Sequence, residues 1–89
     1  MSKEIVDLKH PITINGAEVK QLEMRRPKVR DMLTAQKGKG TDADREVLMF
    51  ANLCEQTPAV IEELDMADYQ QLQETYSGFL NSPKTAPGR

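Results

Sequence analysis

The sequence predicts an α+β domain in which an N-terminal β-hairpin is followed by a small bundle of three main helices and one short helix. An Asn-Gly pair stands between two β-prone runs near the start of the chain, apolar residues then recur at helical spacing, and breaks rich in glycine or proline separate the helical runs. With 89 residues, 38% of them hydrophobic, the chain can form one small core. We expect a single domain over residues 1–80 and, because the last nine residues lack an apolar pattern, a disordered tail over residues 81–89.

The hairpin is predicted by the segment HPITINGAEVKQLEM, in which Asn15 and Gly16 tolerate the positive φ angles of a tight turn. The first strand can reach back to Ile5, and Pro11 marks it as an edge or a bulge. A lone hairpin is marginally stable in water, so we expect this one to lie against the helices.

Two registers fit the hairpin. A two-residue turn pairs Ile12 with Val19 and puts Leu22 and Met24 on the opposite face, whereas a three-residue loop places Ile12, Ile14, Leu22 and Met24 together. The sequence favours the three-residue loop because one buried face needs its apolar residues on one side.

The first helix is predicted over residues 27–37, with Pro27 in its first turn. A narrow apolar stripe falls at positions i, i+3, i+4 and i+7, which are Val29, Met32, Leu33 and Gln36. The second helix, over residues 42–56, follows a cap at Thr41 and is apolar on nearly every side, which is typical of a central helix.

Two further helices are expected downstream. Thr57 and Pro58 open a short one that runs through Leu64. Asp65 can cap the last one, which has a good amphipathic stripe, and we expect Asp68 on its solvated side together with the neighbouring glutamines.

The sequence offers little chemistry. Cys54 is the only cysteine and lies in an apolar helix, so it is interpreted as buried filler, and His10, the only histidine, as an ordinary strand residue. Capping and solvation account for the acidic cluster at the start of the last helix, and no glycine-rich phosphate loop is present. We expect a protein that is not an enzyme, with no cofactor and no metal site.

No apolar run approaches the length needed to span a bilayer, and the N-terminus lacks the apolar region of a signal peptide. The sequence therefore predicts a soluble protein of a reducing cytoplasm.

The charge is unevenly distributed although the net charge is only −2. Residues 25–39 contain six Lys or Arg against Asp31, a local net charge of +5, and residues 41–76 contain nine Asp or Glu against Arg45, a local net charge of −8. A chain with this polarity can orient its partners or associate head to tail with a second copy.

The basic run at the start of the first helix has three interpretations: a solvated face, a contact with an acidic protein surface, or a nucleic-acid contact. Nucleic acid is the least favoured, because the run contains no aromatic residue for stacking on bases and the next helix begins with acidic residues that phosphate would repel. Met32 is read as filler of a small core or as part of an adaptable partner surface. The candidate partner-binding residues are Arg25, Arg26, Lys28, Arg30, Met32 and Leu33.

Over residues 11–80 the order of short motifs resembles the E-type tail assembly chaperones of contractile-tailed bacteriophages, including Mu-like phages and temperate coliphages. The motifs are PITINGAEVKQLEMRRPKVRDML, a break rich in Lys and Gly, and LMFANLCEQTPAVIEELDMADYQQLQETYSGFL. The junction motif L-x-[ML]-R-x-P falls on Leu22, Met24, Arg25 and Pro27, and that junction could be structural.

The resemblance implies a chaperone that binds the tape measure protein, keeps it soluble and promotes assembly of the tail tube in the host cytoplasm. It also implies absence from the finished particle, and a longer frameshift product that could contact the tail tube protein. Two other classes remain open: a small regulatory protein that binds nucleic acid through the basic run, and a permanent structural subunit of a tail.

Overall fold

The computed structural model describes residues 3–81 and confirms the predicted α+β architecture. An antiparallel two-stranded hairpin precedes four helices, one of them only five residues long. In chain order the elements are β1 (Lys3–Ile14), β2 (Ala17–Arg25), α1 (Val29–Gln36), α2 (Asp42–Cys54), α3 (Pro58–Glu62) and α4 (Met66–Asn81).

The hairpin closes with a two-residue turn. Asn15 and Gly16 have φ angles of 51° and 82°, and the first pairs on either side of them are Ile14 with Ala17 and then Thr13 with Glu18. Positive φ at both turn residues is the conformation that Asn-Gly favours between twisted strands. The three-residue loop favoured by the sequence is therefore wrong.

An irregularity in β1 explains why the apolar pattern predicted the wrong register for the hairpin. Asp7 pairs with Gln21 and Ile12 pairs with Val19, so residues 8–11 face a single residue of β2. The extra residues change which side chains of β1 point toward the core. Apolar residues at both ends of the hairpin therefore pack on the core, although the strands are not paired in the regular register that the prediction assumed. Pro11 lies inside this irregular segment, which confirms its predicted position at an edge or bulge.

The core lies between the hairpin and the helices. α2 packs against β2, α1 and α3, as expected for a central helix, and its Phe50 and Leu53 are almost completely buried. The ring of Phe50 meets those of Tyr69 and Tyr76 of α4 at centroid distances of 5.6 and 5.7 Å. The hairpin contributes its own buried side chains, which are Val6, Leu8, Leu22 and Met24.

The helix starts follow local capping chemistry. Thr41 caps α2 as predicted, with its hydroxyl and the Asp44 carboxylate bonding each other's backbone N–H groups. α1 begins at Val29, so placing Pro27 in its first turn was wrong: Lys28 is extended and forms the N-cap.

The helix ends differ slightly from the predicted bounds. α2 stops at Cys54 because Glu55 adopts a left-handed conformation with φ of 58°. α3 ends at Glu62 rather than Leu64, and α4 includes Asn81, which the sequence had assigned to the tail. The remainder of the predicted tail, residues 82–89, lies outside the described residues.

Candidate partner-binding surface

α1 turns its apolar residues away from the core. Val29, Met32 and Leu33 are 71%, 46% and 52% exposed, whereas the residues that the helix buries are Asp31 and Ala35. An amphipathic surface helix normally buries its apolar stripe, so this arrangement is reversed. We call Val29, Met32 and Leu33 the α1 stripe; the structure brings the two candidate residues Met32 and Leu33 together in it.

A bidentate ion pair holds α1 in this orientation. The guanidinium of Arg25, at the end of β2, donates to both carboxylate oxygens of Asp31 at 2.8 and 2.9 Å. The same carboxylate accepts the backbone N–H of Lys28, which caps the helix. The hydrogen bonds from Arg25 hold the pKa of Asp31 below its usual value despite the opposing effect of burial. Arg25, a candidate partner-binding residue, is thus engaged within the fold.

Arg26 contacts the last turn of α4. Its guanidinium lies 5.5 Å from the centre of the Phe79 ring and donates to the Phe79 carbonyl oxygen at 3.5 Å. A cation is favourable both over an aromatic face and at the C-terminal end of a helix. This contact brings the junction between β2 and α1 next to the end of α4.

The other two candidate cations, Lys28 and Arg30, are exposed beside the α1 stripe. Of the junction motif, Leu22 and Met24 are buried in the core and Arg25 is ion-paired, so this part of the motif is structural. Of the candidate residues, Met32 and Leu33 of the α1 stripe therefore remain exposed, with the charges of Lys28 and Arg30 beside them and Arg26 at the edge.

A cleft of about 220 Å³ opens where α1 meets α2 and α4, and sequence reasoning missed it. One of its lining carboxylates, that of Glu46, accepts hydrogen bonds from the Tyr69 hydroxyl and from the Gln73 amide. Burial, reinforced by this bond to Glu46, raises the pKa of the Tyr69 hydroxyl. No sequence signal reveals the cleft, because its walls come from three helices. We call it the α1 cleft.

Asp68 was expected on the solvated side of α4, and the structure corrects this. The residue is completely buried, and its two carboxylate oxygens accept the backbone N–H groups of Lys9 at 2.8 Å and His10 at 2.9 Å. These donors belong to the irregular segment of β1, where Pro11 has no N–H to offer. Asp68 therefore supplies the hydrogen-bond acceptors that β2 does not provide for this part of β1, and these bonds connect α4 to the hairpin.

The residues considered for catalysis lie on different elements. Cys54 is buried in α2, and burial raises the pKa of its thiol to about 11, which makes it a poor nucleophile. His10 lies on β1, where its backbone bonds Asp68. Within residues 3–81 no three His, Cys, Asp or Glu side chains come close enough to hold a metal ion. Over the same residues no helix is both long and apolar enough to cross a bilayer.

The chain forms a small α+β domain that leaves the apolar face of one helix exposed. A family model described as "Phage tail assembly chaperone proteins, E, or 41 or 14" matches residues 5–81, which is nearly all of the described chain. The chain belongs to this family, which confirms the resemblance to phage tail assembly chaperones. No curated protein and no solved structure matches the chain.

Family membership gives the protein a role in the assembly of phage tails. Chaperone function as such is not catalysis. The family suggests that the protein is an assembly factor that interacts with tail proteins.

Proposed function

We propose that this protein binds the tape measure protein of its phage through the α1 stripe and keeps that protein soluble while the tail tube assembles around it. The observation that carries the proposal is the reversed orientation of α1, which leaves Val29, Met32 and Leu33 exposed. An apolar helix face that the fold itself does not cover suits an amphipathic helical client.

The charges around the stripe suit such a client. Lys28 and Arg30 are exposed on the same helix, and Arg26 lies at its edge over Phe79. A client helix that lays its apolar residues on the stripe would meet these cations with acidic flanking residues. Rim charges of this kind mainly accelerate association and favour the correct partner, and they leave binding reversible.

Nucleic acid is a poorer fit for the same surface. Arg25 is neutralised by Asp31, so fewer cations are free than the basic run suggested. The accompanying side chains are aliphatic rather than aromatic, which does not favour stacking on bases.

In this role the protein acts in the host cytoplasm during assembly of a contractile tail, and it leaves before the particle is complete. A longer frameshift product would continue the chain beyond α4, and contact with the tail tube protein is assigned to that extension. Mass spectrometry of purified particles tests the first part: a stoichiometric amount of this chain in finished tails would make it a permanent subunit instead.

The main test is coexpression with the tape measure protein, followed by a solubility assay and a pull-down. The informative variant combines Met32→Ser with Leu33→Ser. Because these half-exposed side chains contribute about 1 kcal/mol each when a partner covers them, binding should weaken roughly thirtyfold. Charge reversal of Arg26 and Arg30 should also weaken binding. Arg30 is exposed, so its reversal alone should leave the fold intact, whereas reversal of Arg26 also removes its contact with Phe79.

Met66→Ser is the matched control, because Met66 is 77% exposed and lies on α4 outside the stripe. Binding that is equally strong in the wild type and in the stripe variant would overturn the proposal. A nucleic-acid role would instead appear as an electrophoretic shift that is lost steeply as the salt concentration rises.

A further inference from the structure

We propose that the α1 cleft receives one cationic side chain, arginine or lysine, from the polypeptide that binds the α1 stripe, and that it thereby sets the direction in which that polypeptide lies. The inference rests on the proposed function for the identity of the polypeptide. The cleft's preference for a cation is a property of this chain alone and can be tested separately.

The cleft has the size of a side-chain site. Its volume of about 220 Å³ is smaller than the range of roughly 300–1,000 Å³ that is usual for small-molecule pockets. Phe50 and Ala35 line it with exposures of only 1% and 2%, so the lining includes residues of the core. The more open positions around them are Gln36, Glu46, Met49 and Tyr76.

The Glu46 carboxylate is only half used by the protein. The Tyr69 hydroxyl and the Gln73 amide, the latter at 3.1 Å, both donate to the same oxygen, Oε1. Among residues 3–81 no donor bonds the other oxygen, Oε2. A fixed, half-buried carboxylate with a free oxygen is suited to accept a charge-assisted hydrogen bond from a guanidinium or an ammonium group.

The remaining walls suit the rest of such a side chain. Met49 offers an apolar surface for the methylene stem of an arginine or lysine. Tyr76, a half-buried aromatic residue of the lining, adds aromatic surface, which favours a cation at close range.

One cation, Arg45, already lines the cleft, but its guanidinium is engaged. It donates to the Gly38 carbonyl oxygen at 3.3 Å and to the Asp42 carboxylate at 3.2 Å. With Asp42 and Glu46 counted against Arg45, the lining carries a net charge of −1. The cleft therefore complements a cation and disfavours an anion.

The position of the cleft relative to the stripe gives the direction. Gln36 lines the cleft and stands seven residues after Val29, which is two helical turns or about 10 Å along α1. The exposed cations Lys28 and Arg30 lie at the opposite end of the helix. A bound helix should therefore place its acidic residues near the start of α1 and an arginine or lysine about two turns away, at the cleft.

The test is an NMR titration of the full chain with N-acetyl-argininamide, compared with the citrulline analogue, which has nearly the same shape but no charge. The arginine probe should shift the amide resonances of the cleft residues, with an affinity at least threefold higher than that of the citrulline probe. Glu46→Gln should abolish this preference, and because glutamine keeps an acceptor for Tyr69 and Gln73, the variant should stay folded. Glu74→Gln, which removes the same charge from an exposed position of α4, should leave the preference unchanged.

Equal shifts by both probes, or a preference that survives Glu46→Gln, would overturn the inference. In the second arm, Glu46→Gln should weaken binding of the tape measure protein roughly tenfold, the loss of one charge-assisted hydrogen bond. If the arginine preference is present but the stripe variant binds the tape measure protein normally, the proposed function fails and the cleft stands. If the stripe variant loses binding but the probes are not distinguished, the cleft inference fails and the proposed function stands.

Discussion

Replacement of the buried Asp68 by asparagine should destabilise the whole fold. The carboxylate accepts the N–H groups of Lys9 and His10 and the side-chain amide of Gln71 at 2.8–2.9 Å. Asparagine has one acceptor oxygen where the carboxylate has two. Its NH₂ group would therefore lie against at least one backbone N–H, and two donors cannot bond each other.

The magnitude follows from these contacts. A buried donor left without an acceptor costs about 1–3 kcal/mol, and the remaining bonds to Asp68 lose the contribution of its charge. We expect the free energy of unfolding to fall by roughly 2–4 kcal/mol, which is a large part of the total for a domain of this size. The midpoint of thermal unfolding should fall by roughly 10–25 °C.

The pH dependence supplies a second signature. Burial alone would raise the pKa of Asp68, but the N–H groups of Lys9 and His10 and the amide of Gln71 outweigh it and lower that pKa. The contribution of Asp68 is therefore complete above pH about 4, the usual pKa of an aspartate, and is lost as the pH falls through the lowered value. The gap in stability between the wild type and Asp68→Asn should narrow over that acidic range.

Urea unfolding followed by circular dichroism at pH 7 and at several acidic pH values measures both effects. Asp7→Asn is the matched control, because Asp7 is exposed on the same stretch of β1 and, among residues 3–81, only its backbone carbonyl accepts a side-chain hydrogen bond, from Gln71. A loss below about 0.5 kcal/mol for Asp68→Asn at pH 7, or a gap that widens in acid, would refute the role assigned to Asp68.

Three further variants test other parts of the structure. Asp31→Asn should lower stability by about 2–3 kcal/mol at pH 7, because it breaks the ion pair with Arg25, and the loss should shrink in acid since Arg25 holds the pKa of Asp31 below its usual value; urea titration checks it. Glu55→Gly should raise stability by about 0.5–1 kcal/mol, measured as a higher thermal midpoint, because Glu55 adopts the left-handed conformation that glycine takes without strain. Met32→Ser with Leu33→Ser should change stability by less than about 0.5 kcal/mol per substitution, since both side chains are half-exposed, and a larger loss in the same assay would mean that the stripe supports the fold.

Local signals in the sequence predicted the features that local chemistry controls. The Asn15–Gly16 turn and the Thr41 capping box each depend on residues within four positions, and both lie where the sequence put them. The helical period around Met32 likewise predicted α1. The apolar stripe of α1 did not reveal whether that face would be buried or exposed, because helical periodicity shows only that the apolar residues share one face.

The orientation of α1 depends on Asp31 and its partner Arg25, six residues earlier on a different element. In the sequence, Asp31 stands out only as the one negative charge among the basic residues 25–39, and the charge pattern gives no sign of its ion pair with Arg25. Asp68 was misread for the same reason: its partners, Lys9 and His10, are 59 and 58 residues away, and no local pattern connects them.

The register of the hairpin failed for a related cause. The prediction assumed a regular ladder, whereas the segment around Pro11 exchanges its bonds to β2 for bonds to Asp68 on the last helix. The α1 cleft could not be predicted from the sequence either, because Glu46 and Tyr76 are 30 residues apart in the chain and line the same cleft only in the folded structure.

The most direct test of the central claim is hydrogen–deuterium exchange of this chain, free and in complex with the tape measure protein. If the client covers the α1 stripe, the amides of α1, residues 29–36, should be protected in the complex more than those of any other helix. Protection concentrated elsewhere, with α1 exchanging as fast as in the free chain, would contradict the claim.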